Sequence, residues 1–339
     1  KVKSEKITFL RFISLTLAAY LVMMSVPLVL ARQDDEKTVD SIARSGDQKI
    51  LAITYSSGGL LSLTIELYDA STGQLIRTVD VSPIVPRRIA LSPTGDRIVY
   101  AGTGGELGIF NINTSTNNII LNYGAVSIDV LAWNPSNNEI AYTLGSGVYI
   151  LDATSATVIR NVNTGTIRVV EMAWSPDGQK LATSHYTEDV FNPGVTRVNV
   201  KIWNLTSEEN PVTSPLLTIE NRGGGNIDWS PDETRLALLE KNRLFIYDLS
   251  AGQSEVDLPF DEESPATLVW SPDGRFVATG GTTIRIWDTS TWQVIRTIPV
   301  TGAAGSLQWS PNSEHLFNDG GPSGLYLDDA PIKEIGKEY

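Results

Sequence analysis

Three acidic residues are the first candidates for chemistry in this sequence. Asp129, Glu171 and Asp228 stand near the starts of three predicted strands, at similar places in a repeated pattern. Carboxylate oxygens are ligands for hard metal ions, and they also accept hydrogen bonds from small ligands. If the three strands begin around one opening, these side chains converge there. They are therefore candidates for a metal or ligand site, with the alternative that they are solvated polar groups lining a channel.

The sequence contains few other residues that could act as a nucleophile or bind a metal. The chain contains no cysteine and two histidines, His185 and His315, which are too few for a histidine-rich metal site. A Ser-His-Asp triad built on His185 and Asp189 lacks the nucleophile-elbow pattern that would support it. We therefore predict no catalytic residue, no cofactor and no enzymatic activity.

Two further sets of side chains are candidates for binding a partner. An insertion in one repeat, from His185 to Arg197, carries aromatic and acidic residues, and exposed aromatics make efficient anchors in interfaces. Elsewhere, two adjacent arginines in an acidic protein could hold an anionic group. Both have ordinary alternatives: the insertion packs back on its own sheet, and the arginines are a solvated pair. The candidate partner-binding residues are His185, Tyr186, Glu188, Asp189, Phe191, Arg87 and Arg88.

A repeated unit must position all these residues, and its clearest copy runs from Thr267 to Asp288. It reads TLVWSPDGRFVATGGTTIRIWD, three short apolar strands with the turn Ser271-Pro272-Asp273-Gly274 between the first two. Proline presets the backbone for a turn, and glycine supplies the positive φ that closes a tight hairpin. A fourth strand, Val294 to Ile298, follows. Each unit is predicted to be a four-stranded antiparallel sheet, too small to be stable alone.

The unit recurs seven times along the chain. The residue before the turn reappears at intervals of 47, 42, 41, 55, 41 and 39 residues, and third strands end in pairs such as Trp287-Asp288. A period of about 40 to 45 residues with an aromatic-Asp ending indicates propeller blades. The residues before the turns are Arg44, Leu91, Trp133, Trp174, Trp229, Trp270 and Trp309.

By these motifs the sequence resembles the WD-repeat β-propeller family. Trp287-Asp288 is the family's dipeptide, and the Trp-Ser-Pro-Asp-Gly turns resemble a form found in bacterial envelopes. The family's Gly-His pair ahead of the first strand is missing from every unit. The resemblance implies an all-β fold: a seven-bladed propeller of four-stranded antiparallel blades over residues 38–339, preceded by a short polar linker, residues 32–37. Loops on such a rigid scaffold usually carry the function.

Residues 1–31 differ from the rest of the chain. Four basic residues between Lys1 and Arg11 precede an uncharged run, residues 12–31, which is the pattern of an export segment. The run is also long enough to span a bilayer. Two outcomes stay open, a cleaved signal peptide and a retained membrane anchor. In both, the basic residues stay on the cytoplasmic side, so the propeller is predicted to be extracytoplasmic: secreted, periplasmic or attached to the membrane.

The charge of the chain restricts its partners. It has 26 Lys and Arg against 39 Asp and Glu, a net charge of −13, which repels phosphate backbones. We predict an exported, non-catalytic interaction scaffold with a protein or peptide partner and no nucleic acid. The alternative is an enzyme, or a propeller that binds a ligand or metal in its central channel. Fold alone does not separate the two.

Overall fold

The computed structural model describes residues 37–47, 49–57, 60–124, 126–165, 168–188, 196–222, 225–240, 243–260, 266–300, 304–321 and 324–327. The predicted signal peptide or anchor, residues 1–31, lies outside the described residues, as do Asp189 and Phe191. In the part of the chain that the structure describes, no helix has the length and apolarity needed to cross a membrane.

Antiparallel sheets of consecutive strands build the molecule. Blade one is β1 (Lys37–Arg44), β2 (Ile50–Ser57), β3 (Leu60–Asp69) and β4 (Leu75–Asp80). Blade two is β5 (Pro86–Leu91), β6 (Arg97–Gly102), β7 (Glu106–Asn111) and β8 (Thr116–Asn122). Blade three is β9 (Leu131–Trp133), β10 (Glu139–Leu144), β11 (Gly147–Asp152) and β12 (Thr157–Val162).

The second half of the chain continues this order. Blade four is β13 (Arg168–Trp174), β14 (Lys180–Glu188), β15 (Thr196–Asn204) and β16 (Leu217–Glu220). Blade five is β17 (Ile227–Trp229), β18 (Arg235–Glu240), β19 (Arg243–Asp248) and β20 (Gln253–Pro259). Blade six is β21 (Thr267–Trp270), β22 (Phe276–Gly280), β23 (Thr283–Asp288) and β24 (Val294–Pro299). The C-terminal sheet is β25 (Leu307–Trp309), β26 (Leu316–Gly321) and β27 (Gly324–Leu327).

The prediction of seven four-stranded blades is wrong. The described residues form six four-stranded blades, and the C-terminal sheet has three strands, in the order β25-β26-β27. A fourth strand for this sheet would have to follow β27, and residues 328–339 lie outside the described residues. The all-β propeller of four-stranded antiparallel blades holds for the six complete blades.

Serine closes the turn that follows the first strand. In blade six, Ser271 Oγ accepts a hydrogen bond from the Phe276 N–H at 2.9 Å and donates one to Asp273 Oδ1 at 2.8 Å. Gly274 takes a φ of 75°, which an L side chain rarely adopts. The hairpin therefore follows from local side-chain chemistry. The same serine-to-main-chain bond recurs at Ser45, Ser92, Ser175, Ser230 and Ser310.

Acidic or amide side chains cap the turn after the third strand. Asp288 Oδ1 accepts the N–H groups of Ser290 and Thr291, at 2.9 and 3.0 Å. These bonds satisfy main-chain donors that have no partner in the sheet, as an Asx turn does. The recurring Asp or Asn at the end of the third strand is thus explained by local structure.

Tryptophans join neighbouring blades. Trp174 Nε1 donates to the Ala132 carbonyl oxygen at 3.3 Å, and Trp229 Nε1 donates to that of Ala173 at 3.0 Å. In each case the acceptor residue directly precedes the tryptophan of the preceding blade. The indole rings are buried between the sheets, so each ring fills apolar space and also fixes the spacing of two blades.

The ring closes between the C-terminal sheet and blade one. Strand β1 contacts β25 and β27, and Arg44 Nη1 donates to the Trp309 carbonyl oxygen at 2.6 Å. Phe317 of β26, fully buried, packs in a cluster that includes Leu51 and Tyr68 of blade one. Side chains therefore contribute to holding this seam together.

Candidate functional site

The first strands surround a central cavity of about 630 Å³. All three acidic candidates, Asp129, Glu171 and Asp228, line it, and so does Arg88. They come from different blades, and the ring brings them to one wall. The structure therefore places the three carboxylates around the same cavity.

Glu171 and Asp228 use their oxygens on nearby donors. Glu171 Oε2 accepts Asn226 Nδ2 at 2.9 Å, and Oε1 accepts the Met172 N–H at 3.0 Å. Asp228 Oδ1 accepts the Trp229 N–H at 3.0 Å. Its Oδ2 accepts the N–H of Trp270, on the next blade, at 2.7 Å. Asp228 thereby links blades five and six at the cavity wall.

Asp129 and the two adjacent arginines have surface partners. Arg168 Nη2 lies 3.2 Å from Asp129 Oδ2 in an ion pair whose side chains are 60% and 42% exposed. Arg88 Nε donates to the Asp129 carbonyl oxygen at 2.8 Å. Arg87 and Arg88 are both exposed on β5. The structure places this pair in a first strand.

Asp40 and Arg44 also line the cavity, and sequence reasoning missed both as site residues. Asp40 Oδ1 accepts Ser56 Oγ at 3.2 Å, while Oδ2 is shielded from solvent without a hydrogen-bond partner. Burial lowers the pKa of Arg44 to about 10, although the negative charge of Asp228 opposes this. One signal was available for Arg44: it stands where every other unit has tryptophan or leucine.

The cavity does not contain a preformed metal centre in the described part of the chain. There, no three His, Asp or Glu side chains meet closely enough to hold a metal ion. The oxygens of Glu171 and Asp228 are directed at amide and main-chain donors instead. Asp129, Glu171 and Asp228 thus line the same cavity, but each interacts with different neighbouring groups.

The predicted insertion loop is largely a continuation of two strands. β14 and β15 pair from Lys180 with Asn204 to Glu188 with Thr196, so both are nine residues long. The corresponding strands of blades two, three, five and six have five or six residues. His185, Tyr186 and Glu188 are therefore strand residues. The aromatic-acidic loop residues Asp189 and Phe191 lie outside the described ranges.

His185 is fully buried rather than exposed. Its Nδ1 lies 3.5 Å from Thr183 Oγ1, and its Nε2 has no hydrogen-bond partner among the described residues. Burial, helped by the nearby positive charge of Lys201, lowers the pKa of His185 to about 4. The ring is therefore neutral at pH 7. Next to it, Tyr186 is half-buried at the end of the pairing with β13.

The chain is similar in sequence to a protein family and to several known proteins. A family model described as "Eukaryotic translation initiation factor eIF2A" matches residues 166–318, which is less than half of the chain. The chain is 25% identical over 235 residues to "Anaphase-promoting complex subunit cdc20" of Dictyostelium discoideum, covering 58% of this chain and 47% of that protein. The chain is a WD-repeat-like β-propeller.

Two further relatives match the chain. "Anaphase-promoting complex subunit cdh1" of Dictyostelium discoideum is 22% identical over 302 residues, covering 85% of the propeller chain and 37% of the relative. "Cell division cycle 20.1, cofactor of APC complex" of Arabidopsis thaliana is 31% identical over 107 residues, covering 30% and 22%. The chain spans less than half the length of each of these curated relatives.

Proposed function

We propose that the propeller is a non-catalytic interaction scaffold that works outside the cytoplasm and presents the end of the β14–β15 hairpin to a protein partner. One observation carries this proposal, the length of that hairpin. The pairing of β13 with β14 ends at Tyr186, and the pairing of β15 with β16 ends at Asn199. Beyond these residues, the pairing that the described strands show for β14 and β15 is with each other.

The outer part of the hairpin is a two-stranded ribbon. Thr187 and Glu188 on β14 pair with residues 196–198 on β15, and none of the other described strands pairs with them. The edges of such a ribbon present N–H and C=O groups, which another chain can pair with as an added strand. Tyr186 supplies an aromatic side chain at its base. A partner could therefore bind by main-chain pairing, with the tyrosine as an anchor.

The relatives support a role in assemblies. Their names describe a subunit or a cofactor of a multi-protein complex. A propeller that holds a partner by an extended hairpin fits the same kind of role.

The proposed compartment depends on the sequence ahead of the propeller. Basic residues followed by an apolar run, residues 12–31, favour export or membrane attachment. The propeller is also free of cysteine, so it does not need disulfides in an oxidising compartment. Fractionation of the source cells tests this part: we expect the protein outside the cytoplasmic fraction, and its recovery in the cytoplasmic fraction alone would contradict it.

Photo-cross-linking tests the proposed binding surface. A photoreactive phenylalanine analogue replaces Tyr186 in the full chain, which is expressed in the source cells and irradiated. We expect one dominant cross-linked protein. The matched control carries the analogue at Gln293, an exposed residue next to the turn after the third strand of blade six, where we expect no adduct.

A shortened hairpin supplies the second control. Replacing residues 189–195 with Asn-Gly keeps the Glu188–Thr196 pair and closes it with a two-residue turn. We expect the Tyr186 adduct to remain and the thermal unfolding temperature to stay unchanged, because the paired ribbon of residues 187–188 and 196–198 is kept. Equal adducts from the Tyr186 and Gln293 positions, or none from either, would refute the scaffold proposal.

A further inference from the structure

A segment of the chain itself fills the outer side of the junction between blades three and four. Residues 205–216, here called the strap, connect β15 to β16 and run along the outer edge of blade three. The Val212 N–H donates to the Asn161 carbonyl oxygen at 2.8 Å, and the Asn163 N–H donates to that of Val212 at 2.9 Å. The Val212 side chain is buried in a core cluster that includes Val162. An extended segment with a β-branched anchor therefore fits between two blades of this propeller.

The corresponding place at the next junction, between blades four and five, is a groove of about 450 Å³. Ile219 lines it and pairs with Val200, four residues before the end of β15. Val162 pairs in the same way with Val148, four residues before the end of β11, so Ile219 is its counterpart. In blade five, residues 249–252 alone join β19 to β20. This connection is too short to form a second strap.

The outer edge of β16 offers the same main-chain groups as that of β12. β16 is the last strand in the order β13-β14-β15-β16, and none of the other described strands pairs with its outer edge. The Asn221 N–H points inwards, to Asn199 Oδ1 of β15 at 2.9 Å. Because successive residues of a strand direct their main-chain groups to opposite edges, Thr218 and Glu220 direct theirs outwards. They are the counterparts of the two β12 residues that bond to Val212.

A positive charge beside the groove favours an acidic residue in the occupant. The Arg222 side chain lines the groove and is 41% exposed. Its Cζ lies 4.3 Å from the centre of the Phe245 ring, which fixes the plane of the guanidinium. Its Nη1 is 3.9 Å from Glu240 Oε2, which is longer than a direct hydrogen bond. A guanidinium has five N–H donors in a fork that matches a carboxylate, so an acidic side chain would complement Arg222.

We propose that this groove binds an extended segment of a partner protein in the way that blade three binds the strap. The anchor of the segment is a β-branched aliphatic residue packed beside Ile219. Its N–H donates to the Thr218 carbonyl oxygen, its C=O accepts the Glu220 N–H, and an acidic residue nearby pairs with Arg222. Such strand addition combines main-chain pairing with a side-chain pocket. The groove is a second binding surface, so the inference goes beyond the proposed function and does not depend on it.

Fluorescence polarisation on the full chain tests this with a labelled peptide. The probe is fluorescein-labelled Glu-Asn-Pro-Val-Thr-Ser-amide, which has the sequence of residues 209–214 of the strap. Its control has N-methylvaline in place of valine, which keeps the side chain and removes the N–H donor. We expect the probe to bind about tenfold more tightly than the control, a ratio that one hydrogen bond can supply. Equal affinity for the two peptides would overturn the proposal.

Variants of the groove should change the affinity in opposite directions. Ser254→Trp, at an exposed position lining the groove, should block it and weaken binding at least about tenfold. Glu220→Gln removes an exposed negative charge beside Arg222 and should strengthen binding severalfold, a gain that a folding defect would not produce. Arg222→Gln should weaken binding severalfold. Unchanged affinity in all three variants would contradict the proposal.

The matched control is Val294→Trp in blade six. Val294 and Ser254 occupy the same position of their blades, since each pairs with the residue before the end of the third strand. Val294 is also exposed, and we expect its replacement to leave probe binding unchanged. A loss as large as that in Ser254→Trp would show that the probe does not bind specifically between blades four and five.

Sedimentation velocity on the full chain distinguishes a partner segment from a second copy of this chain. We expect the same distribution of species with and without saturating probe. If the probe converts a dimer into monomers, a second copy occupies the groove and the partner proposal is overturned. Replacing residues 189–195 with Asn-Gly should leave probe binding unchanged, so this inference and the hairpin proposal can fail separately.

Discussion

Two junctions of the ring are held together in different ways. Between blades three and four, the chain after β15 returns to the outer edge of blade three, where Val212 forms a parallel bridge with Val162. Asn210 Oδ1 accepts the Asn161 N–H at 3.0 Å, and Asn210 Nδ2 donates to the Ile159 carbonyl oxygen at 3.2 Å. Main-chain pairing at the outer edge of blade three therefore stabilises the junction with blade four.

The seam between the C-terminal sheet and blade one is stabilised by side chains in the interior of the ring rather than by main-chain pairing at its outer edge. Its contacts are the Arg44 hydrogen bond to Trp309 and the buried Phe317. Arg44 takes the place of the tryptophan that joins blades elsewhere, and its pKa is lowered by burial. The comparison shows that one propeller can close a junction either with apolar side chains and one charge, or with extra main-chain bonds at the edge.

Phe317→Ala should have the largest effect, because it empties the apolar centre of the seam. Truncating a fully buried phenylalanine lowers the free energy of unfolding by about 3–5 kcal/mol. The control is Phe276→Ala at the neighbouring junction, where the ring stacks on Trp309 and a similar loss is expected. Hydrogen exchange separates the two: only Phe317→Ala should increase exchange in β1. If Phe317→Ala and Phe276→Ala increased hydrogen exchange in β1 equally, Phe317 would not stabilise the seam with blade one specifically.

Lowering the pH should destabilise the junction between blades three and four, because His185 lies buried there. This residue faces Lys201, whose Nζ donates to the Thr164 carbonyl oxygen between blades three and four. The folded pKa of about 4 lies below the ordinary value of 6.5. Its contribution to stability is therefore fully present above pH 6.5 and is lost as the pH falls towards 4, because the unfolded chain binds a proton that the folded chain does not. At about 1.4 kcal/mol per pKa unit, the loss approaches about 3 kcal/mol.

The measurement is urea unfolding at several pH values between 4 and 8, compared with His185→Gln. The variant should be less stable at pH 8 but lose less stability in acid, because it has no imidazole to protonate. In NMR spectra, the His185 ring signals should not titrate above about pH 5. A His185 ring that titrates near pH 6.5 would show that it is not held neutral by burial.

Local structure could be predicted from the sequence, and the junctions could not. The Ser271 turn and the Asp288 cap depend on residues within five positions, so motif and structure agree. Arg44 and Trp309 are 265 residues apart, and no local pattern specifies their bond. His185, where the predicted insertion begins, lacked a strong strand pattern, and its complete burial in β14 was not readable from the sequence.

The smallest effect is expected from Asn210→Ala at the outer edge of blade three. The change removes two exposed hydrogen bonds to β12 and should lower the free energy of unfolding by about 1–2 kcal/mol. Because the Val212 main-chain bonds to Asn161 and Asn163 remain, the blades should stay together. Hydrogen exchange should rise at the Asn161 amide, with Ser214→Ala, an exposed change in the same segment, as the control. If the amide of Asn161 stays protected, the Val212 bridge is enough to hold blades three and four together. In that case Asn210 contributes little to the difference between this junction and the seam.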